Sequence, residues 1–168
     1  MAAIKSRYKP KNPQKYCNPK TINNIICRSS WERQVCIWLD QNPDVISWGS
    51  EVITIPYISR VDGKKHRYYI DFYIKFKDNK ILLVEVKPHC QTQEPVLKPK
   101  QNKKRFITET VTYATNTSKW EYASEYASKR NAKFVIWTEH TLAAMGIKTI
   151  TTSKAFKASK FKKPIRKI

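Results

Sequence analysis

Acidic side chains are scarce in this chain: 13 Asp and Glu face 33 Lys and Arg, and the formal net charge is +20. A surplus of that size calls for an anionic partner. The scarcity is uneven. Residues 1–20 hold six basic side chains and no acid, and residues 148–168 hold eight and no acid, so every carboxylate lies in the middle of the chain. No apolar run approaches the roughly 20 residues a membrane-spanning helix requires, and the first residues lack the apolar stretch of a signal peptide. The expectation is a protein that stays where it is made. Cysteine offers no framework either. Cys17, Cys27, Cys36 and Cys90 stand ten, nine and 54 positions apart, which matches neither a zinc pattern nor a compact secreted disulfide scaffold. All four read as reduced thiols, with Cys36 against a core. No internal repeat is present.

What remains is enough for one folded domain: 168 residues, 40% hydrophobic and 12% aromatic. Residues 1–26 are rich in Lys, Asn and Pro, and Pro10, Pro13 and Pro19 exclude a helix, so they read as a basic extended arm. Ser29-Ser30-Trp31-Glu32 has the form of a capping box, and Trp31, Val35, Trp38 and Leu39 then recur at helical spacing until Asn42-Pro43 stops them. A strand is predicted over 45–57, limited by Pro56, a second over 66–76 after the Asp62-Gly63 turn, and a third over 80–87. Residues 88–104 read as an irregular basic loop. A second helix is predicted over 118–130 from a second Ser-x-x-Glu at Ser118, a buried strand over 133–138, and a short helix over 138–146. The fold class is α/β: helix, three-stranded antiparallel meander, helix, strand. The domain spans 27–147, and 148–168 form a basic tail.

Three residues inside the meander carry chemistry. Asp71 lies fourteen positions before Glu85, with Lys87 two further on. Glu85 and Lys87 share one face of a strand while Val84 and Val86 take the other. Asp71 joins that face only if it pairs directly with Glu85, which puts Lys77 opposite Asn79 and requires an odd loop or a bulge; a two-residue turn at Asp78-Asn79 turns Asp71 away. Two carboxylates beside one ammonium suit phosphodiester hydrolysis. An all-oxygen donor set of Asp71, Glu85, Glu32 and the Val86 carbonyl suits Mg²⁺ or Mn²⁺, with Lys87 orienting water or stabilising the transition state. Each residue also has a plain alternative: Glu32 as the N3 residue of its capping box, the others as cross-strand salt bridges.

These residues resemble the PD-(D/E)XK nuclease superfamily, whose signature maps onto Asp71, then Glu85-Val86-Lys87, with Glu32 from the first helix; Ile70 stands where the signature has Pro. The resemblance implies a restriction-endonuclease-like core. A wider resemblance, carried by Tyr8-Lys9-Pro10-Lys11-Asn12-Pro13-Gln14-Lys15-Tyr16, Arg28-Ser29-Ser30-Trp31-Glu32-Arg33 and Ile55-Pro56-Tyr57-Ile58-Ser59, is to the head completion nucleases of T-even-type tailed phages. The end-cleaving endonucleases of Tn7-type transposons are similar in the order of the Ser-x-x-Glu helix, Asp and Glu-x-Lys. The phage resemblance implies action on packaged DNA ends late in virion assembly, portal, neck or head proteins as partners, and a location in the host cytoplasm and at the head–neck region of the particle.

Arg28, Arg33, His66, Lys98, Lys100, Lys103, Lys104 and Lys119 are the candidate contacts to double-stranded DNA, holding phosphates without reading sequence. Tyr68 and Tyr122 either stack on bases or pack. Two rivals share the basic surface: a DNA-gripping neck or connector protein without catalysis, and a transposon-end or junction endonuclease.

Overall fold

The computed structural model describes residues 5–97 and 99–149. Its elements are β1 (Ser6–Tyr8), β2 (Ile25–Cys27), α1 (Ser30–Gln41), β3 (Val45–Ser50), β4 (Thr54–Ile58), β5 (Lys65–Tyr69), β6 (Phe72–Phe76), β7 (Ile81–Val86), α2 (Lys103–Ser128), β8 (Lys133–Trp137) and α3 (Glu139–Ala144). The central sheet has the order β3-β6-β7-β8, with β3, β6 and β7 antiparallel and β8 parallel to β7. A parallel return needs a crossover, and α2 supplies it. The mixed α/β architecture is that of a restriction-endonuclease-like fold.

Strand alternation sorts the core into two layers. Leu82, Val84 and Val86 join Trp31, Val35 and Leu39 of α1 in one buried cluster, while Leu83 joins Ile55, Tyr68, Ala123 and Ala127 in another. The sheet therefore lies between α1 and α2, and Glu85 lies on the α2 side. Tyr8, Tyr16 and Ile25 of the amino-terminal segment belong to the α1-side cluster. That segment is tied down by Asp40, fully buried in α1, which accepts from the Tyr8 hydroxyl and from the Lys11 and Asn12 amides at 3.0, 2.7 and 3.1 Å. Gly49 allows the same segment to pass. A Cβ there would sit 2.5 Å from Cys17 Sγ, where the Cys17 amide bonds the Trp48 carbonyl.

Several boundaries differ from the sequence expectation. The strand expected over 45–57 is two strands, and so is that over 66–76, because Glu51 forms a bulge with φ of 52° opposite the bend at Asp71. The β3–β6 and β4–β5 ladders differ in register by one residue across it. Pro56 does not end its strand: β4 pairs only with β5, so the missing N–H costs no ladder bond. Instead of starting at Ser118, α2 starts at Lys103, capped by Asn102, whose side chain accepts from the Lys104 amide. Ser118 lies mid-helix and donates to the Ala114 carbonyl, so its Ser-x-x-Glu pattern is not a cap. The strand β8 is at the sheet edge, and of its five residues only Trp137 is buried. Residues 150–168, most of the expected basic tail, lie outside the described residues.

Candidate active site

The turn between β6 and β7 sets the geometry. Phe76 and Lys80 close a three-residue loop, Lys77 to Asn79, with Asn79 in the left-handed region at φ 63°. The odd loop produces the register Phe72 opposite Val84 and Lys75 opposite Ile81, and the same register, carried one residue past the end of the ladder, aligns Asp71 with Glu85. This is the register that the two carboxylates require.

At the head of β6 and the end of β7 the side chains engage one another. Asp71 Oδ2 accepts from the Val86 amide at 2.8 Å. Lys87 Nζ lies 3.0 Å from Glu85 Oε1, and the Tyr68 hydroxyl donates to Glu85 Oε2 at 2.7 Å. Glu85 is buried, yet both its oxygens meet polar partners, and Lys87 and Asp71 remain half-buried with access to solvent. Burial and the Glu85 charge beside it push the Asp71 carboxyl well above the ordinary aspartate range. Burial works against the Lys87 ammonium, but the Glu85 charge and their hydrogen bond outweigh it, so Lys87 is held above the ordinary lysine range. Burial and the Glu85 charge likewise raise Tyr68, which keeps its proton as donor.

Glu32 also contributes to the field felt by Asp71 and Lys87. Its oxygens accept from the Arg28 amide and the Ser29 hydroxyl at 2.7 and 2.8 Å, and its own amide donates to Ser29 Oγ at 3.2 Å. Ser29 therefore caps the helix as the sequence predicts, and the Glu32 carboxylate reaches back to the Arg28 amide and the Ser29 hydroxyl. Burial raises the Glu32 carboxyl, partly opposed by those two hydrogen bonds. Among the described residues no three His, Cys, Asp or Glu side chains stand at a spacing that would hold an ion. Glu32 acts on Asp71 and Lys87 through its charge while both its oxygens serve the helix start. Asp71 and Glu85 are the candidate donors to a hard cation, whose positive charge would relieve their mutual repulsion.

Of the candidate DNA contacts, Lys119 reaches the centre. It lies over the Tyr57 and Tyr68 rings at 6.0 and 5.6 Å, and burial lowers it although Glu85 and Asp71 pull it up. Arg28 is at the rim, paired with Glu51 at 2.8 Å. Arg33 donates to the Arg7 carbonyl beside the Tyr8 ring, and His66 pairs with Asp62 at 2.9 Å toward the turn of the β4–β5 hairpin. Lys100, Lys103 and Lys104 are exposed around the start of α2, and Lys98 lies outside the described residues. Tyr68 packs rather than stacks, and its bond to Glu85 has no local sequence signal. Glu51 escaped the sequence reading for the same reason: only the bulge brings it beside Asp71, whose carbonyl accepts from the Glu51 amide at 3.2 Å.

Two comparisons bear on this arrangement. Residues 42–139 match the model of the TnsA-like endonuclease N-terminal domain, a span that contains Asp71, Glu85, Lys87 and Lys119 and begins after Glu32. The chain is also similar to the head completion nuclease of Enterobacteria phage T4, at 43% identity over 151 residues covering 87% of this chain and 98% of that protein. A hairpin register that gathers Asp71, Glu85 and Lys87 inside the matched span, together with that likeness over nearly the whole phage protein, shows that the chain belongs to the TnsA-like endonuclease family and is a relative of the phage head completion nucleases.

Proposed function

We propose that this protein is a Mg²⁺- or Mn²⁺-dependent DNA endonuclease that acts on packaged DNA ends late in virion assembly, next to portal, neck or head proteins. The observation that supports the chemistry is the Glu85 carboxylate held between the Tyr68 hydroxyl and the Lys87 ammonium, with Asp71, at the bend before β6, accepting from the Val86 amide. Asp71, Glu85 and the Val86 carbonyl would hold the cation. Once bound, it supplies Lewis-acid polarisation of a phosphoryl oxygen and lowers the pKa of water. Lys87 keeps its proton and directs it at the attacking water or at the charge that builds on the phosphoryl group. Lys119 adds a second positive charge from α2, and Glu32 tightens the acidic lining while it starts its helix. The family membership and the +20 charge support duplex DNA as substrate. The likeness to the phage protein supports the place in assembly.

Purified protein incubated with linear and supercoiled DNA tests the proposal. Cutting is expected with Mg²⁺ or Mn²⁺ and none in EDTA; turnover that persists in EDTA overturns the metal chemistry.

A further inference from the structure

The hairpin of β4 and β5 has two unlike faces. Inward, Ile55, Tyr57, Tyr68 and Ile70 are buried in the α2-side cluster. Outward, the register sets Thr54 against Tyr69, Pro56 against Arg67 and Ile58 against Lys65. All six outward residues are exposed, Ile58 by 52% and Tyr69 by 46%. No described carboxylate pairs with Lys65 or Arg67. Asp62 is the one acid between residues 54 and 69, and it is occupied by His66. Among the described residues, the fold thus leaves a ribbon face with two unneutralised cations, a tyrosine and an isoleucine that no other element covers.

We propose that this outer face is a docking surface for duplex DNA beside the cleavage site, with Lys65 and Arg67 on phosphates and Tyr69 on the same backbone. Charge complementarity selects the occupant, and a two-stranded ribbon is of a size that the major groove admits. The strand also points at the site. Arg67 and Lys65 precede Asp71 by four and six residues, so at ~3.4 Å per residue they lie at most about 14 and 20 Å along the chain from it. On a duplex that reach is roughly four and six base pairs. The surface extends grip away from the scissile phosphate, a task the half-buried Lys87 and Lys119 cannot perform. The inference rests on the endonuclease reading only for the identity of the ligand.

The test is binding of a short labelled duplex, in EDTA so that no cleavage intervenes, by wild type, by Lys65→Gln/Arg67→Gln and by Lys77→Gln/Lys80→Gln at the far turn. The hairpin double variant is expected to bind about tenfold more weakly. Its dependence of log affinity on log salt should be shallower by about two. The far-turn variant should match wild type. In the wild-type protein, duplex DNA should slow amine-reactive labelling of Lys65, a readout that needs no substitution. Unchanged affinity and salt slope in the hairpin variant, an equal loss in the far-turn variant, or unprotected Lys65 would each overturn the surface. Asp71→Asn separates the two readings: loss of cutting with intact duplex binding concerns the metal site, whereas loss of binding in the hairpin variant concerns the ribbon.

Discussion

The hydroxyl of Tyr68 donates to Glu85 Oε2 at 2.7 Å, from an inward position on β5 whose neighbours on either side face out. With Lys87 on the other oxygen, the Glu85 carboxylate has one orientation before any ligand arrives. Tyr68→Phe keeps the ring in its packing and removes only that donor. Cleavage should fall about 10- to 100-fold and need more divalent metal, the usual scale for loss of a group that orients a ligand. A metal titration of the cleavage rate checks this, with duplex affinity in EDTA unchanged. An unaltered metal requirement would leave Tyr68 with packing alone.

Asp71 carries a pH signature. In the folded chain its carboxyl keeps a proton to higher pH than in the unfolded chain, where aspartate titrates near ~3.9. Within that window the folded state binds more protons, so stability falls as pH rises from ~3.9 toward the raised value. Asp71→Asn removes the titrating group. In EDTA the variant should therefore lose this part of the decline and melt higher than wild type at neutral pH. Thermal melts across pH decide it, and parallel curves for the two proteins would contradict the account. Added Mg²⁺ or Mn²⁺ should raise the wild-type melting temperature more than that of the variant.

Asp40 holds the amino-terminal segment to α1, and its described hydrogen-bond partners outside α1 all lie in that segment. Asp40→Ala leaves the Tyr8 hydroxyl and two amides without their acceptor and should cost about 2–4 kcal/mol. Chemical denaturation measures the loss, and limited proteolysis should cut first within residues 5–26. A stability within 0.5 kcal/mol of wild type, about the scale of an ordinary surface change, would show that the segment is held by its tyrosines alone.

Glu32 closes the start of α1, and substitution separates that role from the proposed role in the site. Glu32→Ala should lower stability by about 1 kcal/mol, whereas Glu32→Gln, which can still complete a capping box, should lower it much less. Both should reduce cutting. Full activity in Glu32→Gln would assign the residue to the cap only.

Much of this arrangement was legible because it is local or periodic. Ser29 and Glu32 announce a helix start by spacing, and Leu82, Val84 and Val86 against Leu83 and Glu85 alternate by strand geometry. The need for Asp71 to face Glu85 forced an odd loop, and Lys77 to Asn79 supply it. Other features depend on partners distant in the chain. Glu51 is a non-glycine residue at positive φ, with nothing beside it in sequence to mark a bulge. The first turns of α2 alternate threonines with exposed Ile107 and Val111, so they carry no buried face from which helical periodicity could be read. A Ser-x-x-Glu spacing at Ser118 then looked like a beginning although its hydroxyl bonds back to Ala114. Tyr8 finding Asp40, and Tyr68 finding Glu85, are contacts across 32 and 17 residues that only folding creates.

The most direct measurement is cutting of supercoiled DNA in Mg²⁺ or Mn²⁺ by wild type, Asp71→Asn and Glu85→Gln, with duplex affinity measured on the same preparations. The account predicts that both variants bind DNA with wild-type salt dependence and cut at least about 100-fold more slowly, the scale on which removing one such group lowers catalysis. Wild-type cutting by either variant would contradict it.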